Sequence, residues 1–410
     1  MSDSAASQAT ATSHRAWTLR LAVLATTAAI AVSVIYLPQS MLTDLAASLG
    51  VAPSVASIAA TAAQVGYAIG IFLLVPLSDR IQPRRQITVQ LVLLTVALLA
   101  TAAMPQIVAV VLGFLVVGLV ANIAQLTIPA ANKLAPEGRS GATTATLVGA
   151  VLVGIFGGRV LASILVGAIG WRLVVVVFAA LVLATIPLFR RALRVDVALS
   201  ERGTRYGSLL SSTVKLARTS STALQLSGMN FLAFATFNSL WTVMVLHLTG
   251  PHFGWSVATA GLFSLVGLAA GVVTPFGGRL IDRFGAVPVA GVFLALMLIA
   301  AISIVVDSGN IVLFGISMFL VTLANQSAQS ANQNRVLRTN PEAPAQANTV
   351  FMVAVFLGGS VGAFLGVLAY GIGGMTAVGF QAVVLVLLAL GIWVIAYRGA
   401  RKSEGGLRAT

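Results

Sequence analysis

The sequence predicts an all-α membrane protein, with twelve transmembrane helices arranged as two pseudo-symmetric six-helix bundles. Three observations carry that expectation. The chain is 58% hydrophobic and 8% charged, with mean hydropathy +1.00 over 410 residues, too little charge to cover a water-facing surface. Apolar runs recur along its whole length, each near the ~20 residues that cross a ~30 Å hydrocarbon core. An Asp-Arg pair with Leu two positions ahead occurs twice, at Asp79-Arg80 and Asp282-Arg283, 203 residues apart and so about half a chain apart.

The runs fall at about 18–40, 54–77, 86–104, 107–131, 142–167, 172–189, 222–247, 257–276, 287–306, 311–334, 347–370 and 375–397. Lipid offers no hydrogen-bond partner, so continuous runs are read as helices. A β-barrel would need short alternating segments instead. The first run is too long for a signal-peptide core and has no obvious cleavage site, so it is expected to stay as a helix. Residues 1–16 and 399–410 read as flexible cytoplasmic tails. The bundles are expected at 17–189 and 222–398, joined by a polar cytoplasmic linker at 190–221 that holds a short surface helix at 207–218.

Orientation follows from Lys and Arg. With the N-terminus in the cytoplasm, 22 of the 24 fall on that side, and only Arg159 and Arg172 are left over. The net charge of +14 is therefore a topology signal scattered over short loops, and no nucleic-acid partner is expected. The chain has no Cys, which excludes disulfides, thiolate metal sites and cysteine nucleophiles. Neither a metal nor a cofactor is expected.

With the runs numbered in order, two patterns repeat every third run. Runs 2, 5, 8 and 11 each carry glycines four apart: Gly66/Gly70, Gly154/Gly158, Gly267/Gly271 and Gly358/Gly362. Such pairs let helix backbones approach closely. Amides gather in runs 1, 4, 7 and 10, and polar side chains at membrane depth face a cavity or another helix. Three-helix repeats nested in two halves are the pattern of an alternating-access transporter. Asn325, Gln329 and Asn332 are spaced to share a face, as are Asn122 and Gln125. With Tyr36, Gln39, Asn238 and Trp241 they form the expected cavity set, the competing reading being hydrogen bonds between helices. A cavity of amides without acids suits a neutral, polar or amphiphilic cargo.

Arg159 is the one charge inside a run. It reads either as an anion or coupling site, or as a structural Arg bonded to helix carbonyls. No Asp or Glu is expected inside a run, so Asp44, just past run 1, becomes the candidate coupling acid, paired with Arg159. The alternative for Asp44 is an outer-loop acid or helix cap.

The two Asp-Arg segments resemble the signature loop of the major facilitator superfamily, roughly Gly-x-Leu-x-Asp-Arg-x-Gly-Arg-Arg. The first copy has Val75 and Gln82 at the glycine positions and keeps Arg84 and Arg85. The second keeps Gly278 and Gly285 but has Ala286 and Val287 at the basic positions. Tyr36-Leu37-Pro38-Gln39, the stretch from Gln64 to Gly70, Gly157-Gly158-Arg159 and Trp171-Arg172 resemble the twelve-helix drug–proton antiporter and sugar-efflux branch. Two features depart from it: Phe114 stands where that branch often has Arg, and Ile155 follows Gly154 where it has Pro. The resemblance implies that Gln64 joins the cavity set. It also implies that Asp79, Arg80, Arg84, Arg85, Asp282 and Arg283 form a cytoplasmic gate, the acids facing the starts of helices 11 and 5.

The expected function is export of a small organic compound from a bacterial inner membrane by proton antiport, with alternatives of a proton-independent facilitator or importer and of a sensor. An enzyme is excluded on residues: His14, His247 and His252 form no zinc-hydrolase motif, and no intramembrane acid pair exists. The expected partners are a small-molecule substrate and the bilayer, and the chain supplies both halves, so a monomer is expected to suffice.

Overall fold

A computed structural model describes residues 2–193 and 206–407, with the side chains of 2–16, 79, 275 and 400–407 left aside. The middle of the expected linker, 194–205, and the side chain of Asp79 therefore lie outside the described residues. All regular structure among the described residues is helical.

Ten continuous stretches are long and apolar enough to cross a membrane. Two of them, Ser140–Ala192 with 53 residues and Pro344–Gly399 with 56, are far too long for one crossing, since 53 residues rise ~80 Å against a ~30 Å core. Each is broken once. Gly170 turns the first at φ 73°, ψ 160°, and Gly373 and Gly374 turn the second, Gly374 at φ 60°. A side chain strains such a backbone, which is why glycine stands at each break. The result is twelve spans: α1 Trp17–Ser40, α2 Pro53–Ser78, α3 Pro83–Ala103, α4 Ile107–Leu134, α5 140–169, α6 171–192, α7 Ser221–Thr249, α8 Val257–Phe284, α9 Ala286–Val306, α10 Ile311–Thr339, α11 344–372 and α12 375–399.

Three expectations about chain ends and loops are corrected. The backbone is already helical from Ser2, and the last helix runs on to Leu407, so residues read as flexible tails continue their spans. Asp282 and Arg283 are in the last turn of α8, not in a loop, because glycine breaks the helix only at Gly285 (φ 86°). This also puts a carboxylate at the end of a span expected to have none. The linker helix, Tyr206–Thr219, stands where a surface helix is expected at 207–218, and the third correction is only that it is packed on its neighbours. Its Tyr206 hydroxyl donates to the Leu73 carbonyl at 2.6 Å, and it packs against both the end of α2 and the final helical stretch.

The spans pack as two bundles, α1–α6 and α7–α12, meeting along two seams, α2 with α11 and α5 with α8. Three glycine pairs bring two helices into close contact inside a bundle, in five of the six positions against a backbone carbonyl. A Cβ at Gly66 or Gly70 would strike the carbonyl of Leu115 or Leu119 in α4. At Gly154 it would strike the Ala29 carbonyl and at Gly158 the Ser33 side chain, both in α1. At Gly358 and Gly362 it would strike the carbonyls of Phe231 and Ala235 in α7. The fourth pair is different: Gly267 and Gly271 of α8 meet the side chains of Phe156 and Leu152 in α5, across the seam. Large apolar side chains such as Val108, Val272, Ile299 and Leu388 remain exposed around the outside, as a lipid-facing belt requires.

Candidate functional site

Between the bundles lies a cavity of about 650 Å³, the size of a small-molecule site. At its mouth are Pro76 and Ser78 from the end of α2, Asn132 of α4, Gln333 of α10, and Ala345, Gln346 and Asn348 from the start of α11. Leu209 and Thr213 of the linker helix complete the wall. The cavity therefore opens on the linker side. Its inner end is aromatic: Tyr36, Tyr67, Phe156, Phe234, Phe237 and Phe356. The rings pack on one another, Tyr67 on Phe356 at 4.3 Å and Phe234 on Phe237 at 5.4 Å between centroids. No charged side chain among the described residues lines the cavity.

Past the inner end the bundles close on each other through a chain of buried polar groups. Arg159 of α5 donates from Nη2 to Gln39 Oε1 in α1 at 2.5 Å. Gln39 Nε2 donates to Asn238 Oδ1 in α7 at 3.2 Å, and Asn238 Nδ2 donates to the Gly359 carbonyl in α11 at 2.6 Å. The chain thus ties both bundles together. The Arg159 guanidinium also lies over three ring faces, 4.7 Å from Tyr36, 5.3 Å from Trp241 and 5.9 Å from Phe156. These contacts fall in the range where a ring quadrupole attracts a cation. Trp241 Nε1 donates to Thr322 Oγ1 at 3.1 Å, which fixes the indole.

Of the expected cavity residues, Tyr36, Gln125 and Gln329 line the cavity. Gln39, Asn238 and Trp241 form the layer behind it. Asn122 is neither: it sits at a break in α4, donating to the Leu119 carbonyl at 2.8 Å and accepting from Gln90 at 3.2 Å, and so braces the break. Gln64 is buried against Gly359 at the α2–α11 seam. Asn325 and Asn332 are buried on the other side of α10. The face of α10 that meets the cavity carries Gln326, Gln329, Ser330 and Gln333. Their i, i+3, i+4, i+7 spacing is a helical signal, and the expected face of Asn325, Gln329 and Asn332 shares only Gln329 with it. Of the aromatic floor the expected set holds only Tyr36, with Trp241 behind it, although Phe234 and Phe237 recur at helical spacing with Trp241.

The expected Asp44–Arg159 pair is absent. The half-buried Asp44 accepts from the backbone N–H of Trp171 at 2.8 Å, and Ser48 accepts from the Trp171 indole at 2.6 Å. Trp171 opens α6 just after the Gly170 turn, where N–H groups lack helical partners and a negative charge is favoured. Among the gate residues, Arg80, Arg85, Asp282 and Arg283 are exposed and Arg84 is half-buried. The Arg283 guanidinium lies 5.1 Å from the Phe284 ring. Ser78, next to Asp79, and the start of α11 both border the open mouth. Among the described residues no cluster of three or more His, Asp or Glu could hold a metal.

The family model of the Major Facilitator Superfamily matches this chain twice, over residues 21–225 and 226–409. A protein of Streptomyces coelicolor described as a probable transporter is 33% identical over 93% of this chain and 88% of its own. A chloramphenicol efflux pump of Mycobacterium tuberculosis is 28% identical over 88% of this chain and 89% of its own. The crystal structure of the nucleoside transporter NupG shares the fold, with TM-score 0.73 at 14% identity over 92% of this chain and 98% of that one.

Proposed function

The chain belongs to the major facilitator superfamily and is a multi-pass membrane transporter, not an enzyme; from that premise we propose that it exports a small organic compound carrying no positive charge, in exchange for protons. One observation carries the reading: a molecule-sized cavity between two bundles, open on the linker side and sealed on the other by contacts that both bundles contribute. Rocking the bundles would close one side and open the other. Amide and aromatic walls without an acid give a cationic cargo no counter-charge. Export draws support from the efflux relative. The units are 17–189 and 222–398 with the linker 190–221 between them, in a bacterial inner membrane, with both termini cytoplasmic. One chain builds the whole cavity, so the monomer is the working unit.

Asp79, Arg80, Arg84 and Arg85 with Asp282 and Arg283 act as the cytoplasmic gate, meeting the starts of α11 and α5 when the mouth shuts. The native chain has no Cys, so a Ser78→Cys/Gln346→Cys pair tests this directly. It should crosslink only when the mouth closes, and equal crosslinking in all conditions would overturn the gate. Asp44 is the proposed coupling acid. Everted vesicles with an acidic lumen should accumulate labelled chloramphenicol as protons leave. Accumulation indifferent to the gradient favours the facilitator reading, which the lack of an acid on the cavity wall also supports. Accumulation undiminished in Asp44→Asn removes Asp44 from the coupling.

A further inference from the structure

We propose that the buried layer just past the inner end of the cavity is an anion site, and that the cargo is an aromatic or similarly flat compound bearing a single carboxylate that seats on Arg159. This rests on the transport reading above. Arg159 is the only charged residue buried among the described ones, at 3% exposure. Its Nε and Nη1 have no hydrogen-bond partner, so at least three of the five guanidinium N–H donors are unused. Gln39 and the three rings stabilise the cation but leave its charge uncompensated. An uncompensated charge at this depth is costly, and no acid among the described residues supplies a counter-charge. Asp44 is bonded to Trp171, and no acid lines the cavity.

The surroundings define the ligand. Tyr36 and Phe156 are at once the inner wall of the cavity and the cover of the guanidinium, so a ligand at the inner end is one ring away from the charge. No Lys, Arg or His on the described lining would hold an anion short of that point. The rings of Phe234, Phe237, Phe356 and Tyr67 offer stacking faces for a flat body. One cation compensates one negative charge, and a second charge on the ligand would sit against aromatic carbon. The cover comes from both bundles: Trp241 belongs to α7, and Gln39 is bonded to Asn238 of α7. Movement of the bundles is therefore what uncovers the charge, which ties anion binding to the transport cycle.

The test compares benzoate with benzamide, its uncharged analogue, binding to the purified full-length protein in lipid nanodiscs by calorimetry. Wild type should bind benzoate at least about tenfold more tightly, the worth of one charge-assisted hydrogen bond. Arg159→Gln should abolish that preference, and Arg159→Lys should keep part of it. Equal binding of the two probes to wild type overturns the proposal, and this arm does not depend on any variant folding. A preference that survives in Arg159→Gln also overturns it. Chloramphenicol transport with no benzoate preference removes this inference and leaves the transport reading intact. Benzoate preference without proton-driven transport of either compound keeps the anion site and removes the reading of export by proton exchange.

Discussion

The glycine pair in α11 and the glycine pair in α8 look alike in sequence and do different work. Gly358 and Gly362 press against carbonyl oxygens of α7 within one bundle. Gly267 and Gly271 press against the Phe156 ring and the Leu152 side chain across the seam between bundles. Backbone cannot step aside without unwinding a helix, whereas a ring or a leucine can change rotamer. The difference separates contacts that resist displacement from contacts that can yield. On the proposed rocking, the backbone contacts of Gly358 and Gly362 hold within their bundle while the side-chain contacts of Gly267 and Gly271 give at the seam.

The sharpest way to break this distinction is to fill the glycines. Gly362→Val and Gly66→Val should each cost ~3 kcal/mol or more, seen as loss of a monodisperse peak in detergent and a large fall in Tm. A well-folded Gly362→Val protein would sink the idea of a rigid bundle contact. Gly267→Ala and Gly271→Ala should cost only about 1 kcal/mol but push α8 away from α5, raising the Ser78→Cys/Gln346→Cys crosslinking rate several-fold. An unchanged rate would mean that the seam takes no part in the movement. Asp44→Ala should lower stability by ~0.5–1 kcal/mol by uncapping α6, while Asp44→Asn, which keeps an acceptor, should lose less. Smallest is Thr322→Val, which removes the partner of Trp241 within the second bundle. It should cost ~0.6 kcal/mol in thermal unfolding and leave the crosslinking rate untouched.

What the sequence made legible was set by length and period. Twelve spans follow from the thickness of a bilayer, and the glycine register follows from helix geometry. The cavity was legible only by helix. Which face of α10 it meets depends on how that helix rotates against its neighbours, and a shift of one residue, about 100°, exchanges Asn325 for Gln326. Arg159 was found as an isolated charge. Its partner was not, because Gln39 and Asp44 are both near the end of α1 and only the turn at Gly170 shows that Asp44 is committed to Trp171. Asp282 read as a loop residue because a polar stretch between apolar runs has the same appearance whether or not the helix has ended.

The linker helix carries the last consequence. Leu209 and Thr213 belong to a segment that neither bundle owns, yet they form part of the wall that a passing compound touches. Tyr206 moors that segment to α2, and the helix also packs on the final helical stretch. Part of the cavity wall is therefore supplied by a fourteen-residue stretch, Tyr206–Thr219, that lies outside every membrane crossing.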